Sequence, residues 1–308
     1  MMTTAPIVLF VYNRPWHVQK TVEALQANYL AKESDLFIFS DGAKNGKDRE
    51  AVNEVRGLIR GILAFRRVEI IESPVNKGLS SSIVSGVTSV ITQYGKIIVL
   101  EDDMVTSPYF LLYMNDALEL YRDEEGAISA HGYLFPLRVE LPETFLLKGA
   151  DCWGWGTWKR GWDLFNPDGK FLLSEILRHK LEREFDMNGN YPYTAMLWDN
   201  VHGKRDSWAI RWYASAFLNK RLTLYPGKSL VQNVGNDSSG THCKSTNHFH
   251  TFVSDQRIHV RKITIEESVH ARRALHKFYR GVSGRGHRAL WRWLIRRWIR
   301  FSSLRVEA

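Results

Sequence analysis

Over the first hundred residues, apolar runs of strand length alternate with amphipathic stretches of helix length, and that alternation restricts the chain more than any other feature. Ile7 to Tyr12 is a β-branched and aromatic run ended by Asn13-Arg14-Pro15, and an amphipathic stretch from about His17 to Asn28 follows. A second apolar run, Leu36 to Ser40, stops at Asp41-Gly42 and leads through a polar loop to a helix-like stretch from about Arg49 to Leu63. Val68 to Ile71, Leu79 to Tyr94 and Lys96 to Leu100 then predict strand, helix and strand. Such a series implies right-handed crossovers and a mostly parallel sheet flanked by helices, so the expected class is α/β and Rossmann-like.

In sheets of this kind ligands bind outside the carboxyl ends of the strands. Polar residues follow three of the candidate strands at that end: Asn13-Arg14, Asp41-Gly42 and Glu101-Asp102-Asp103. They are expected to share one rim.

Beyond Pro108, Tyr109 to Tyr121 reads as a helix and Ala127 to His131 as a strand, while residues 132–256 are aromatic-rich and less periodic. That middle stretch suits a substrate-binding half with long loops. No internal repeat or low-complexity segment is evident. The net charge of +9 is concentrated at the end of the chain, where residues 257–308 hold 14 Lys and Arg against 3 Asp and Glu and leave 28 against 30 for the rest. Within the tail, Arg288, Arg292, Arg296 and Arg300 fall on one face of a predicted helix from Ala289 to Phe301, and Trp291, Leu294, Ile295 and Trp298 on another.

That pattern suits an anionic membrane surface. A solvated helix packed on the body is the plainer reading. Nucleic acid is not expected, because no helix-turn-helix, RNP or zinc-finger signal accompanies the charge. The first residues lack a basic start with a long apolar run, so no signal peptide is expected, and no apolar stretch reaches the roughly 18 residues of a membrane span. Two cysteines, Cys152 and Cys243, are too few for a disulfide framework and suit a reducing cytoplasm. The expected location is therefore cytoplasmic, with a peripheral position on the inner face of the membrane.

Three adjacent carboxylates after an apolar strand repel one another unless a cation intervenes. Mg²⁺ or Mn²⁺ takes one or two protein carboxylates and fills its remaining positions with phosphate oxygens and water. The plain alternative is that Glu101-Asp102-Asp103 caps the following helix, where negative charge is favoured. The strand KIIVL before the triplet and Ser-Pro with a helix after it favour the metal reading.

VLEDDMVTSPYFLLYMNDAL resembles the strand, acidic motif and following helix of GT-A glycosyltransferases, in particular the N-acetylglucosaminyltransferase I type and bacterial family 2-like enzymes of surface-glycan assembly. The likeness extends more weakly over residues 5–245 through FSDG, NKGL, WGWGTW, Asp-Ser-Trp and GNDSSGTHC. It implies a GT-A fold, with residues 1–105 as the nucleotide-sugar-binding half, 106–256 as the acceptor-binding half of the same domain, and 257–308 as a basic helical tail. Asp103 would be the metal ligand, Asp102 would face the ribose and Glu101 the transferred sugar. Arg14, Asp41 and Lys77 would sit at the donor, although Asp-Gly is also an ordinary turn signal and Arg14 could be a surface charge.

The resemblance places the catalytic base on the acceptor side, just before a Trp-containing helix. Asp206 in KRDSWAIRW matches, with Asp199 in LWDNVHG as rival. An aspartate there is equally suited to cap the helix. Trp153 and Trp155, two residues apart, would present rings on one side of an extended segment as a wall for acceptor or sugar, since sugar C–H faces stack on aromatic rings. Core filling is the common fate of tryptophan. His242 in GNDSSGTHC is a candidate second metal ligand, although a lone histidine more often serves structure.

Together these features predict a Mn²⁺- or Mg²⁺-dependent, inverting transferase that moves a sugar from a nucleotide diphosphate, UDP-linked by preference, to a glycan or lipid-linked glycan. The rivals are a sugar nucleotidyltransferase, disfavoured because VYNRPWHV carries no Gly-rich phosphate loop, and a non-catalytic nucleotide- or glycan-binding protein.

Overall fold

A computed structural model of the chain describes residues 4–237, 239 and 246–282. The opening alternation is realised as β1 (Ile7–Val11), α1 (Pro15–Gln26), β2 (Asp35–Ser40), α2 (Arg49–Arg60), β3 (Arg67–Glu72), α3 (Leu79–Tyr94) and β4 (Lys96–Glu101). Local chemistry sets the boundaries. Pro15 occupies the first turn of α1, where its missing N–H is no loss, and α3 ends on Gly95 in the left-handed region.

Next come β5 (Met104–Thr106), α4 (Phe110–Leu120), β6 (Ala127–His131), β7 (Thr144–Lys148) and β8 (Trp155–Trp158). The short α5 (Lys159–Trp162), α6 (Gly169–Arg178), α7 (Glu182–Phe185), α8 (Tyr193–Val201) and α9 (Trp208–Leu218) follow. The described chain closes with β9 (Leu222–Pro226), β10 (Val231–Asn233) and α10 (Val269–Val282).

Eight strands form one sheet in the order β3-β2-β1-β4-β8-β6-β9-β7. β1, β2, β3, β4, β6 and β9 run one way, and β8 and β7 run against them. The mostly parallel α/β class expected from the sequence, a sheet flanked by helices, is thus observed. The middle of the chain is more regular than its weak periodicity suggested. WGTW is a strand, wedged antiparallel between β4 and β6, and β7 and β9 complete the far edge.

Side-chain alternation divides the core between the two faces of the sheet. Ile7, Leu9 and Val11 of β1 and Ile98 and Leu100 of β4 join one cluster, which includes Val18, Val22 and Leu25 of α1. Val8, Phe10, Ile97 and Val99 join the other, beneath Ile83, Val87 and Val90 of α3. Burial of each such aliphatic side chain contributes roughly 1.5–3 kcal/mol. The first part of the expected basic tail belongs to this body: Ile258, Ala271, Leu275 and Tyr279 are buried in the first cluster. The arginine-striped segment 289–301 lies outside the described residues. No helix among the described residues is long and apolar enough to cross a membrane.

Candidate active site

The register aligns the polar strand exits. Val11 pairs with Ser40, and Phe10 pairs with Glu101, so Arg14, Asp41 and the acidic triplet leave the sheet on one rim. Arg14 then reaches across to the triplet. Its Nη2 bonds Asp102 Oδ1 and lies 2.8 Å from Asp103 Oδ2. Asp102 and Asp103 are both buried, and the Asp102 carbonyl is held by the Thr21 hydroxyl of α1 at 2.8 Å.

Two buried atoms in this cluster have no hydrogen-bond partner: Asp103 Oδ1 and Arg14 Nη1. An unpaired buried polar atom costs about 1–3 kcal/mol, more when it is charged. Here the two are of opposite sign, suited to a cation and to an anionic oxygen. Burial, with Asp103 and Asp102 adding like charge, pushes the Glu101 carboxyl up to about 8. Burial likewise raises Asp102, against the pull of Arg14.

The second sheet holds the motif from the other side. β5 pairs antiparallel with β10, and the Val234 N–H donates to the Asp103 carbonyl at 2.9 Å. Gly235 then lies against the carboxylate so closely that a Cβ there would fall 2.1 Å from Asp103 Oδ2 and 2.8 Å from Arg14 Nη1. Only a glycine lets the 233–237 segment approach this far. His17 of α1 meets the same segment, its Nε2 lying 3.1 Å from Asp237 Oδ2. His242 lies outside the described residues. Among those described, no set of at least three His, Cys, Asp or Glu side chains could hold a metal ion.

Asp41 plays a part that its Asp-Gly context only hinted at. Its carboxylate accepts from the backbone N–H groups of Gly42, Lys77 and Gly78 and from the Asn76 side chain, each within 3.1 Å. It thereby fixes the loop that starts α3. The Lys77 side chain is exposed, and its backbone rather than its ammonium meets Asp41.

Beside the triplet a cavity of about 390 Å³ is lined by Glu101, Asp206, Trp153 and a group of tyrosines. Asp206 stands at its wall with a largely exposed side chain, 3.1 Å from Arg211 Nη2. The helix cap that Asp206 could have supplied comes instead from Ser207, whose hydroxyl accepts from the Ile210 N–H. Asp199 is absent from the cavity lining.

Trp153 and Trp155 part company, contrary to the expectation of a shared wall. Gly154 between them has φ of +65°, which breaks the extended alternation. Trp153 lines the cavity, whereas Trp155 is 0% exposed and packs on Trp162, Trp208 and Trp212 with ring centroids 5.5–5.9 Å away.

Two cavity residues escaped the sequence reading. Asp151 accepts from the Tyr225 hydroxyl at 2.6 Å, and burial raises its carboxyl above the ordinary range. His131 is buried, its ring held neutral by that burial with the pKa pushed down to about 3, and its Nε2 accepts from the Trp153 N–H. Asp151 stands two residues before Trp153 of the Trp-Gly run, the single local signal that could have drawn attention to it.

No protein-family model and no curated protein matches the sequence. Among solved structures, the chain is similar to mannosyltransferase PcManGT from Pyrobaculum calidifontis, in complex with GDP-Man and Mn²⁺, at 9% identity and TM-score 0.28 over 49% of this chain and 37% of that one. It is similar to S. aureus TarS at 14% identity and TM-score 0.37 over 73% of this chain and 36% of that one. The matched regions span little more than a third of either protein, and at these scores the likeness bears on neither substrate nor mechanism.

Proposed function

We propose that the chain is a metal-dependent glycosyltransferase acting on a nucleoside-diphosphate sugar, with the rim as donor site and the cavity as acceptor site. The observation that carries this reading is the pair of unsatisfied buried atoms, Asp103 Oδ1 and Arg14 Nη1, on two ion-paired residues that follow the carboxyl ends of neighbouring parallel strands. Mn²⁺ or Mg²⁺ held through Asp103, with His242 as a further ligand, would neutralise charge on the departing diphosphate.

The chain's own groups supply the rest. Arg14 Nη1 is free to donate to a phosphate oxygen, and its bridge to both aspartates fixes where that donor points. Glu101, which ends β4 and lines the cavity, is assigned to hold the transferred sugar. Asp206 is assigned as the base that takes the acceptor hydroxyl proton, which makes the transfer inverting. Asp41 is assigned a positioning part through the Asn76–Gly78 loop, with Lys77 on the donor side. A UDP-linked donor and a glycan or lipid-linked glycan acceptor complete the reading.

A screen of nucleotide sugars for metal-dependent hydrolysis tests it. One donor is expected to be hydrolysed in Mn²⁺, with activity lost on chelation and lowered at least about a hundredfold in Asp103→Ala. Activity that survives both would overturn the assignment.

A further inference from the structure

This inference rests on the transferase reading and concerns the aromatic wall of the cavity. The rings form an unbroken arc. Trp153 meets Tyr133 at 4.7 Å between centroids, Tyr133 meets Phe135 at 5.1 Å, Phe135 meets Tyr279 at 5.4 Å, and Tyr279 meets Tyr191 at 4.4 Å. Asp151 opens into the same space, and Tyr225 donates to one of its oxygens at 2.6 Å. Among the described lining residues the carboxylates are Glu101, Asp151 and Asp206, and Arg205 is the sole Lys or Arg.

We propose that this wall selects the acceptor: it takes an uncharged pyranose ring, whose C–H face lies on the aromatic arc and whose hydroxyls donate to Asp151, and it rejects a sugar bearing a carboxylate. The physical grounds are three. Faces of C–H groups stack on aromatic rings, and Trp153 and Tyr191, the half-buried members of the arc, are available to them. A carboxylate in a mostly aromatic wall needs donors, and ring hydroxyls provide them without bringing charge. A second anion within a few ångströms of this carboxylate would meet repulsion, which is how a site discriminates against a competitor of nearly equal shape. The volume of about 390 Å³ lies within the range of small-ligand pockets.

The test uses methyl glycosides of gluco, galacto and manno configuration, as hexosides and N-acetylhexosaminides, with the methyl glycosiduronate of each configuration, its carboxylate free. Binding to the full chain is read by saturation-transfer NMR. At least one neutral glycoside is expected to bind, and its uronate to bind at least about tenfold more weakly. Asp151→Asn is expected to weaken the neutral ligand about tenfold and to erase most of the preference, with the circular dichroism of the wild type. The proposal is overturned if a uronate binds as well as its neutral partner, if no neutral glycoside binds, or if a folded Asp151→Asn keeps the full preference. Should that variant fail to fold, the wild-type panel decides alone.

UDP and GDP titrated with Mn²⁺ into the same samples separate this proposal from the reading beneath it. Neutral glycosides binding with the stated preference, while neither nucleotide binds, would keep the pocket and remove the transferase. Nucleotide binding with uronates accepted equally would do the reverse.

Discussion

The two halves of the candidate site are built on opposite principles. At the rim, Arg14 and the aspartates are held by charge, hydrogen bonds and one close glycine contact, within segments that leave neighbouring strands. In the cavity, the side chains come from segments far apart in sequence, Tyr133, Asp151, Tyr191 and Tyr279 among them, and packing alone brings them together. A charged cluster of this kind can be disturbed without unfolding the molecule, whereas an aromatic wall cannot be separated from the core behind it.

The contrast can be broken at its strongest point. Trp212 is fully buried against Trp155 and Trp162, and Trp212→Ala is expected to destabilise the fold by about 3–5 kcal/mol in urea unfolding, taking cavity and rim down together. A loss under 1 kcal/mol would show that the tryptophan cluster is not the foundation of the cavity.

Gly235→Ala probes the rim alone. The added methyl must displace Asp103, so donor hydrolysis is expected to fall roughly tenfold to a hundredfold while the unfolding midpoint moves little. Unchanged turnover would detach the 233–237 segment from the site.

The smallest effect sharpens the cavity side and has a defined sign. Because the folded state raises the Asp151 pKa, its ionised form is disfavoured by folding, and stability falls as pH rises above the ordinary carboxylate value. Asp151→Asn, which keeps an oxygen for Tyr225, is expected to melt higher than the wild type at pH 7, with the advantage shrinking as pH is lowered through the carboxylate range. Equal melting curves at neutral pH would remove the idea that this carboxylate is retained against stability.

The same contrast governs what could be read from the sequence. The rim was legible because each of its parts is a local pattern at a strand's end, and strand register does the rest; Glu101-Asp102-Asp103 follows an apolar run that can only be an inner strand. What that pattern could not show is that Arg14 already bridges Asp102 and Asp103, since the contact spans 88 residues. The cavity was largely illegible. Tyr191 and Tyr279 carry no motif, and Asp151 gains meaning only through Tyr225 on a distant strand. WGTW misled for a related reason: a strand buried on both faces shows no alternation, and the left-handed Gly154 sends Trp153 and Trp155 to different destinations.

Helix α9 joins both kinds of construction. Ile210, Tyr213 and Phe217 belong to one buried cluster, and Trp208, Trp212 and Ala216 to the other. A rod gripped from two directions has little freedom to tilt or slide, and Asp206 stands just ahead of its first turn. Its exposed side chain is thus anchored to the interior, so that in the proposed transferase an acceptor entering the cavity would meet a base whose address does not change.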